Sequence, residues 1–107
     1  MPIEWWDRGL TLAEQVQSAA ENNPALWERV TREWREAGSA DKSWLTYSAN
    51  YLCCTSDVKW ALDPFSLSSR IKGVPAPDYA RDLQGLELVL LTHEHNDHLD
   101  LNLLRSL

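Results

Sequence analysis

An α/β fold, a helical pair followed by strands, is predicted by three features of this 107-residue sequence. Apolar side chains recur at helical spacing through residues 12–37, and from Trp44 the composition turns abruptly to strand formers. Residues 86–91 then form a nearly continuous apolar run, too short to cross a membrane, that ends in a dense cluster of histidine and aspartate. The chain divides into a helical leader, residues 1–43, and a strand-bearing unit, residues 44–107.

The first ten residues have no period. Trp5 and Trp6 are expected to pack against the body or a partner, since no basic amphipathic stretch accompanies them toward a membrane surface. Thr11 with Glu14 has the pattern of a capping box, and Leu12, Val16 and Ala19 or Ala20 share a face, predicting a helix over residues 12–21. Asn23 as cap and Pro24 as first helical residue predict a second helix over 24–37, with Leu26, Trp27, Val30 and Trp34 on one side and Gly38 at its end. Glu28 with Arg32 and Arg29 with Glu33 are spaced for a solvated face. Together the two helices form a predicted hairpin.

Residues 39–43 are a polar joint. In residues 44–54, Leu45, Tyr47, Ala49, Tyr51 and Cys53 alternate, predicting one strand that turns at 55–57 and returns over 58–63. Cys53 and Cys54 would face opposite sides of that strand, so they are expected to be reduced and simply packed. Ser66, Ser68, Ser69, Gly73, Pro75 and Pro77 predict a surface loop over 65–77, on which Arg70 and Lys72 are solvated. A short helix over 78–84 leads through Gly85 into a strand over 86–91, expected to be covered on both faces. Leu99, Leu101, Leu103, Leu104 and Leu107 predict a last, strongly apolar helix, inside which the chain stops without a cap, Gly or Pro, as in a truncated domain.

All three histidines of the chain fall in residues 93–98. In an extended segment side chains at i and i+2 point the same way, so His93 and His95 would reach one cation together. Asp97 and His98 follow where the chain must turn and would hold a second. Imidazole and carboxylate together suit zinc, manganese or iron, and two such ions a few ångströms apart clamp and activate water. The alternative, a polar loop that happens to be rich in histidine, sits poorly with a cluster placed directly after a buried-type strand.

At these residues a family likeness becomes specific. Thr92-His93-Glu94-His95-Asn96-Asp97-His98 resembles the T-H-x-H-x-D-H signature of the metallo-β-lactamase fold hydrolases, a superfamily of binuclear metal enzymes. Its continuation through Leu99-Asp100 resembles the D-H-L-D branch that contains ascorbate-6-phosphate lactonase-like and N-acylphosphatidylethanolamine phospholipase D-like proteins. The resemblance covers about residues 44–107. It implies the first strands of an αββα sandwich, with His93 and His95 on one metal and Asp97 and His98 on the other. Two further histidines and a bridging aspartate would come from later sequence. Zinc, two ions per complete site, is the implied cofactor, with manganese or iron as alternatives. Asp63, in a Leu-Asp-Pro like the one that precedes the family's metal motif, and Asp100 would stand just behind the ligands, where imidazole nitrogens need acceptors. For Asp63 a turn-forming role before Pro64 is an equal alternative. Tyr47-Ser48-Ala49-Asn50 lacks the Gly-His pair that many members of the branch carry in the first strand.

The implied function is metal-dependent hydrolysis of a phosphodiester, lactone or related ester or amide bond in a small-molecule substrate, with Asp97 also orienting the attacking water. Four ligands shared between two ions leave each underligated, so this chain alone is expected to be inactive. An inactive or self-associating interaction domain, and one half of a split enzyme, are the other readings. A net charge of −6 argues against nucleic acid as the main partner, although bound cations would still admit a phosphate-bearing substrate. Six tryptophans suggest apolar surface that awaits a partner, a homo-oligomer included, or further sequence. The absence of a charged apolar leader and of any long apolar run predicts a cytoplasmic protein with no membrane span.

Overall fold

The computed structural model describes residues 11–47, 49–94 and 99–107. Trp5 and Trp6 lie outside them. One helix, a four-stranded mixed sheet and two short helices make an α/β fold, in the order α1 (Leu12–Arg35), β1 (Lys42–Leu45), β2 (Tyr51–Thr55), β3 (Val58–Leu62), α2 (Tyr79–Asp82), β4 (Leu88–Leu90) and α3 (Leu101–Arg105).

The predicted helical hairpin is a single helix. Proline within α1 removes one amide donor, yet the chain does not turn at Pro24. Asn22 reaches back along the helix, its Nδ2 donating to the Ser18 carbonyl at 2.7 Å, and so serves the preceding turn. Beyond the proline, Trp27, Val30, Thr31 and Trp34 are buried, and this anchored face carries the helix through the weak point. At the other end Thr11 and Glu14 form the expected capping box, with Glu14 N donating to Thr11 Oγ1 at 3.1 Å and Thr11 N to Glu14 Oε1 at 3.0 Å. The backbone donor of Thr11, and after it the hydroxyl, hold the Glu14 carboxyl below its ordinary value. Thr11→Ala is expected to reduce the far-UV helical signal and to lower the melting temperature by about 4 °C, because an N-cap is lost from an exposed first turn.

The single strand predicted over 44–54 is two strands. Thr46 N and Oγ1 both donate to the Asn50 carbonyl, at 2.8 and 3.1 Å, and close the chain into a reversal between β1 and β2. Asn50 is fully buried and its Nδ2 donates to the Asp63 carbonyl at 2.8 Å, so this polar corner is satisfied from within. Between β2 and β3 the expected turn is present. Ser56 and Asp57, at φ 50° and 69°, are the two central residues of a tight hairpin whose twist needs left-handed backbone at both.

The sheet runs β1-β2-β3-β4, antiparallel except that β3 and β4 are parallel. Paired residues share a face, so Trp44, Leu52, Ala61 and Val89 form one row across it. Leu52 and Ala61 join Trp27, Val30, Trp34, Tyr79, Leu83 and Leu103 in the core, and Trp44 packs against them. On the opposite face Leu45, Leu88 and Leu90 are 46, 48 and 44 % exposed. Among the described residues the strand expected to be covered on both faces is therefore an edge strand with one face open.

Both cysteines are free and buried. Cys54 Sγ lies 3.5 Å from the Gly38 carbonyl, while desolvation pushes the Cys53 thiol up from its ordinary value. Residues 65–77 are less superficial than predicted. Phe65 and Leu67 are buried, Leu67–Ser69 winds into a 3-10 turn, and Phe65 stacks on Tyr47 with ring centres 5.5 Å apart. Among the described residues no helix is long and apolar enough to cross a membrane.

Candidate metal centre

Strand β4 delivers the chain to Thr92, His93 and Glu94 beside the end of its parallel neighbour β3. The hand-over is fixed by Asp63, whose N–H donates to the Leu90 carbonyl at 2.9 Å. Asp63 sits at φ 47°, a left-handed backbone that aspartate tolerates better than most residues, and is 1 % exposed. That bend aims its carboxylate across to β4. Oδ1 accepts from Thr92 N at 2.7 Å, and Oδ2 from Thr92 Oγ1 at 2.6 Å.

The threonine hydroxyl has a single proton, and Asp63 takes it. At 2.8 Å from His93 Nδ1, Thr92 Oγ1 is then the acceptor, so Nδ1 carries the hydrogen and, whenever the ring is neutral, its lone pair is on Nε2. This tautomer is the one that ligates a cation through Nε2. Oriented imidazole with a carboxylate behind it is what a histidine–metal contact requires, so His93 and its supports fit the implied ion. Through the Thr92 hydroxyl the Asp63 carboxylate is linked to the imidazole.

Asp100 stands at the other border of the motif. It is 1 % exposed, and its Oδ1 accepts from Leu103 N at 3.0 Å as the cap of α3. Its Oδ2 accepts from Ser66 N at 3.0 Å, with Ser66 Oγ at 3.5 Å. Ser66 Oγ in turn lies 2.6 Å from the Tyr79 hydroxyl. These described contacts join Asp100 to the chain just after β3 and to α3.

The other predicted ligands, His95, Asp97 and His98, lie outside the described residues, and with them the predicted catalytic role of Asp97. Among the described residues no group of three or more His, Cys, Asp or Glu is placed to hold a metal ion. A cavity of about 410 Å³ lies between α1 and residues 66–82, with Trp27, Ser66, Pro75 and Arg81 in its walls, and His93 is not among its described lining residues.

No family model, curated protein or solved structure matches the chain. Two partners of the predicted site residues carry little signal in the sequence, Thr92 beside Asp63 and Ser66 beside Asp100. Thr92 is the first residue of the motif, and a hydroxyl at a strand end beside a histidine is a signal in itself. Ser66 gave none, because its contact with Asp100 spans 34 positions.

Proposed function

We propose that this chain carries the first part of a two-metal hydrolytic centre of the metallo-β-lactamase type, with His93 and His95 on one cation and Asp97 and His98 on the other. The observation that carries the proposal is the hydrogen-bonded chain from Asp63 through Thr92 to His93 Nδ1. A buried carboxylate committed to a threonine whose hydroxyl orients a histidine is costly to maintain for a solvated loop, and useful for a ligand. Zinc, or manganese or iron in its place, would make water nucleophilic near neutral pH and stabilise negative charge on the attacked group of a phosphodiester, lactone or related substrate. The chain's own contribution is to hold His93 in one tautomer at the end of a strand. The open apolar face around Leu45, Leu88 and Leu90 suits the first sheet of a sandwich, whose second sheet would cover it.

Zinc titration by calorimetry, with metal analysis of the dialysed protein, tests the proposal. Uptake by the unaltered chain is expected to weaken about tenfold or more in His93→Ala and again in Asp97→Ala. Absence of uptake, or uptake indifferent to both substitutions, overturns it. The same open face also favours a second reading, self-association without catalysis. Light scattering over a range of concentrations separates the two, since a metal-free dimer that Leu90→Lys dissolves belongs to the second alone.

A further inference from the structure

The two buried aspartates at the borders of the histidine-rich motif reach the same place. Asp63 takes both donors of Thr92, at the start of the motif, while Asp100, at its end, takes the amide of Ser66. Residues 63 and 66 are the two ends of one short corner leaving β3. The segment from Thr92 to Asp100 thus starts and finishes on four consecutive residues, held at each border by a carboxylate. We infer that Asp63 and Asp100 are paired latches that close the base of this segment on the corner 63–66, and that Ser66 is a positioning residue for the motif.

The chemistry at each latch suits that role. Each carboxylate spends both oxygens, Asp63 on the two donors of Thr92, and Asp100 on Ser66 N and the first turn of α3. Charge-assisted bonds in a buried setting are the stronger kind, and each resists opening at its own border. The corner is itself tied down. Asn50 Nδ2 holds the Asp63 carbonyl at 2.8 Å, and Tyr79 OH holds Ser66 Oγ at 2.6 Å, so β2 and α2 brace the anchors. A segment pinned at both ends loses fewer conformations when its side chains converge on a ligand, whereas one pinned at a single end must order the rest on binding.

Reciprocal coupling is the signature of such a closure. Amide hydrogen exchange, read at single residues by NMR on the full chain without metal, is to be compared for Asp63→Asn and Asp100→Ser. Asparagine tolerates the left-handed backbone of residue 63 but has only one oxygen for two donors, and serine still caps α3 but cannot reach Ser66. Exchange in Asp100→Ser is expected to rise about tenfold at the Thr92 amide as well as at Ser66, and in Asp63→Asn at Ser66 as well as at Thr92. The Leu52 amide in β2 is expected to keep its rate in both. Acceleration confined to the amide whose own acceptor was removed overturns the inference. So does equal acceleration at Leu52, in these variants and in the milder Asp100→Asn, because the corner would then open only with the whole sheet.

The purpose assigned to the latches rests on the proposed metal centre, and zinc binding reads it separately. Asp100→Ser is expected to weaken zinc binding about tenfold although residue 100 is not among the proposed ligands. An unchanged Kd overturns the positioning role. If the unaltered chain takes up no zinc, the hydrolase reading falls, and the exchange experiment still decides whether the latches exist.

Discussion

Trp34→Ala is expected to lower the free energy of unfolding by about 3–5 kcal/mol, read as a shift of the urea midpoint with little change in slope. Trp34 is fully buried among the side chains that join α1 to the sheet, and its Nε1 donates to the Cys53 carbonyl at 2.9 Å. Truncation removes a fully buried indole, opens a cavity between helix and sheet, and takes one of its donors from the Cys53 carbonyl. Trp34→Phe separates the two effects, since it restores most of the apolar volume and leaves only the lost hydrogen bond. It is expected to recover more than half of the loss. A midpoint unmoved by Trp34→Ala would mean that α1 contributes nothing to the stability of the sheet.

Asp82→Ala is expected to cost about 2–3 kcal/mol, by the same measurement. This buried carboxylate accepts from Trp27 Nε1 at 2.9 Å, lies 3.7 Å from Arg35, and meets Arg81 Nε at 3.1 Å. Arg35 also donates to the Asp82 carbonyl at 2.9 Å, so one residue of α2 locks two turns of α1. The Arg81 contact is exposed and adds little, because water screens it. Most of the cost comes from leaving the indole N–H of Trp27 buried without an acceptor. Trp27→Phe in the Asp82→Ala background is accordingly expected to cost less than it does alone, and strict additivity would assign the loss elsewhere.

Local signals are legible in the sequence, and contacts closed over long stretches of chain are not. The capping box of Thr11 and Glu14 and the turn at Ser56 and Asp57 depend on residues within a few positions of one another, and both formed where expected. Asn23-Pro24 also looked like a local signal for two helices. It lost because Trp27 and Trp34 find their partners 55 and 19 residues away, and that anchoring outweighs one missing helical bond. Alternation in residues 44–54 hid a reversal, since Thr46 donates twice to the Asn50 carbonyl in a way no hydrophobic period records. The apolar run of residues 86–91 told nothing of its neighbours. Its leucines are open on one side because among the described residues no element packs there. At the site, the motif pointed to His93 and the proline context to Asp63. The hydroxyl of Thr92 that joins them, and the tie from Asp100 to Ser66, belong to the fold.

The parallel pairing of β3 with β4 bears on how the molecule assembles. Strands β1, β2 and β3 are neighbours along the chain and zip as two hairpins, which close in microseconds. The pairing of Trp60 with Leu88 must wait until residues 63–87 have been gathered, at a greater entropic cost and a slower rate. The strand that leads to His93 is therefore expected to be the last to join the sheet, so the placement of that histidine depends on the final step of folding being complete.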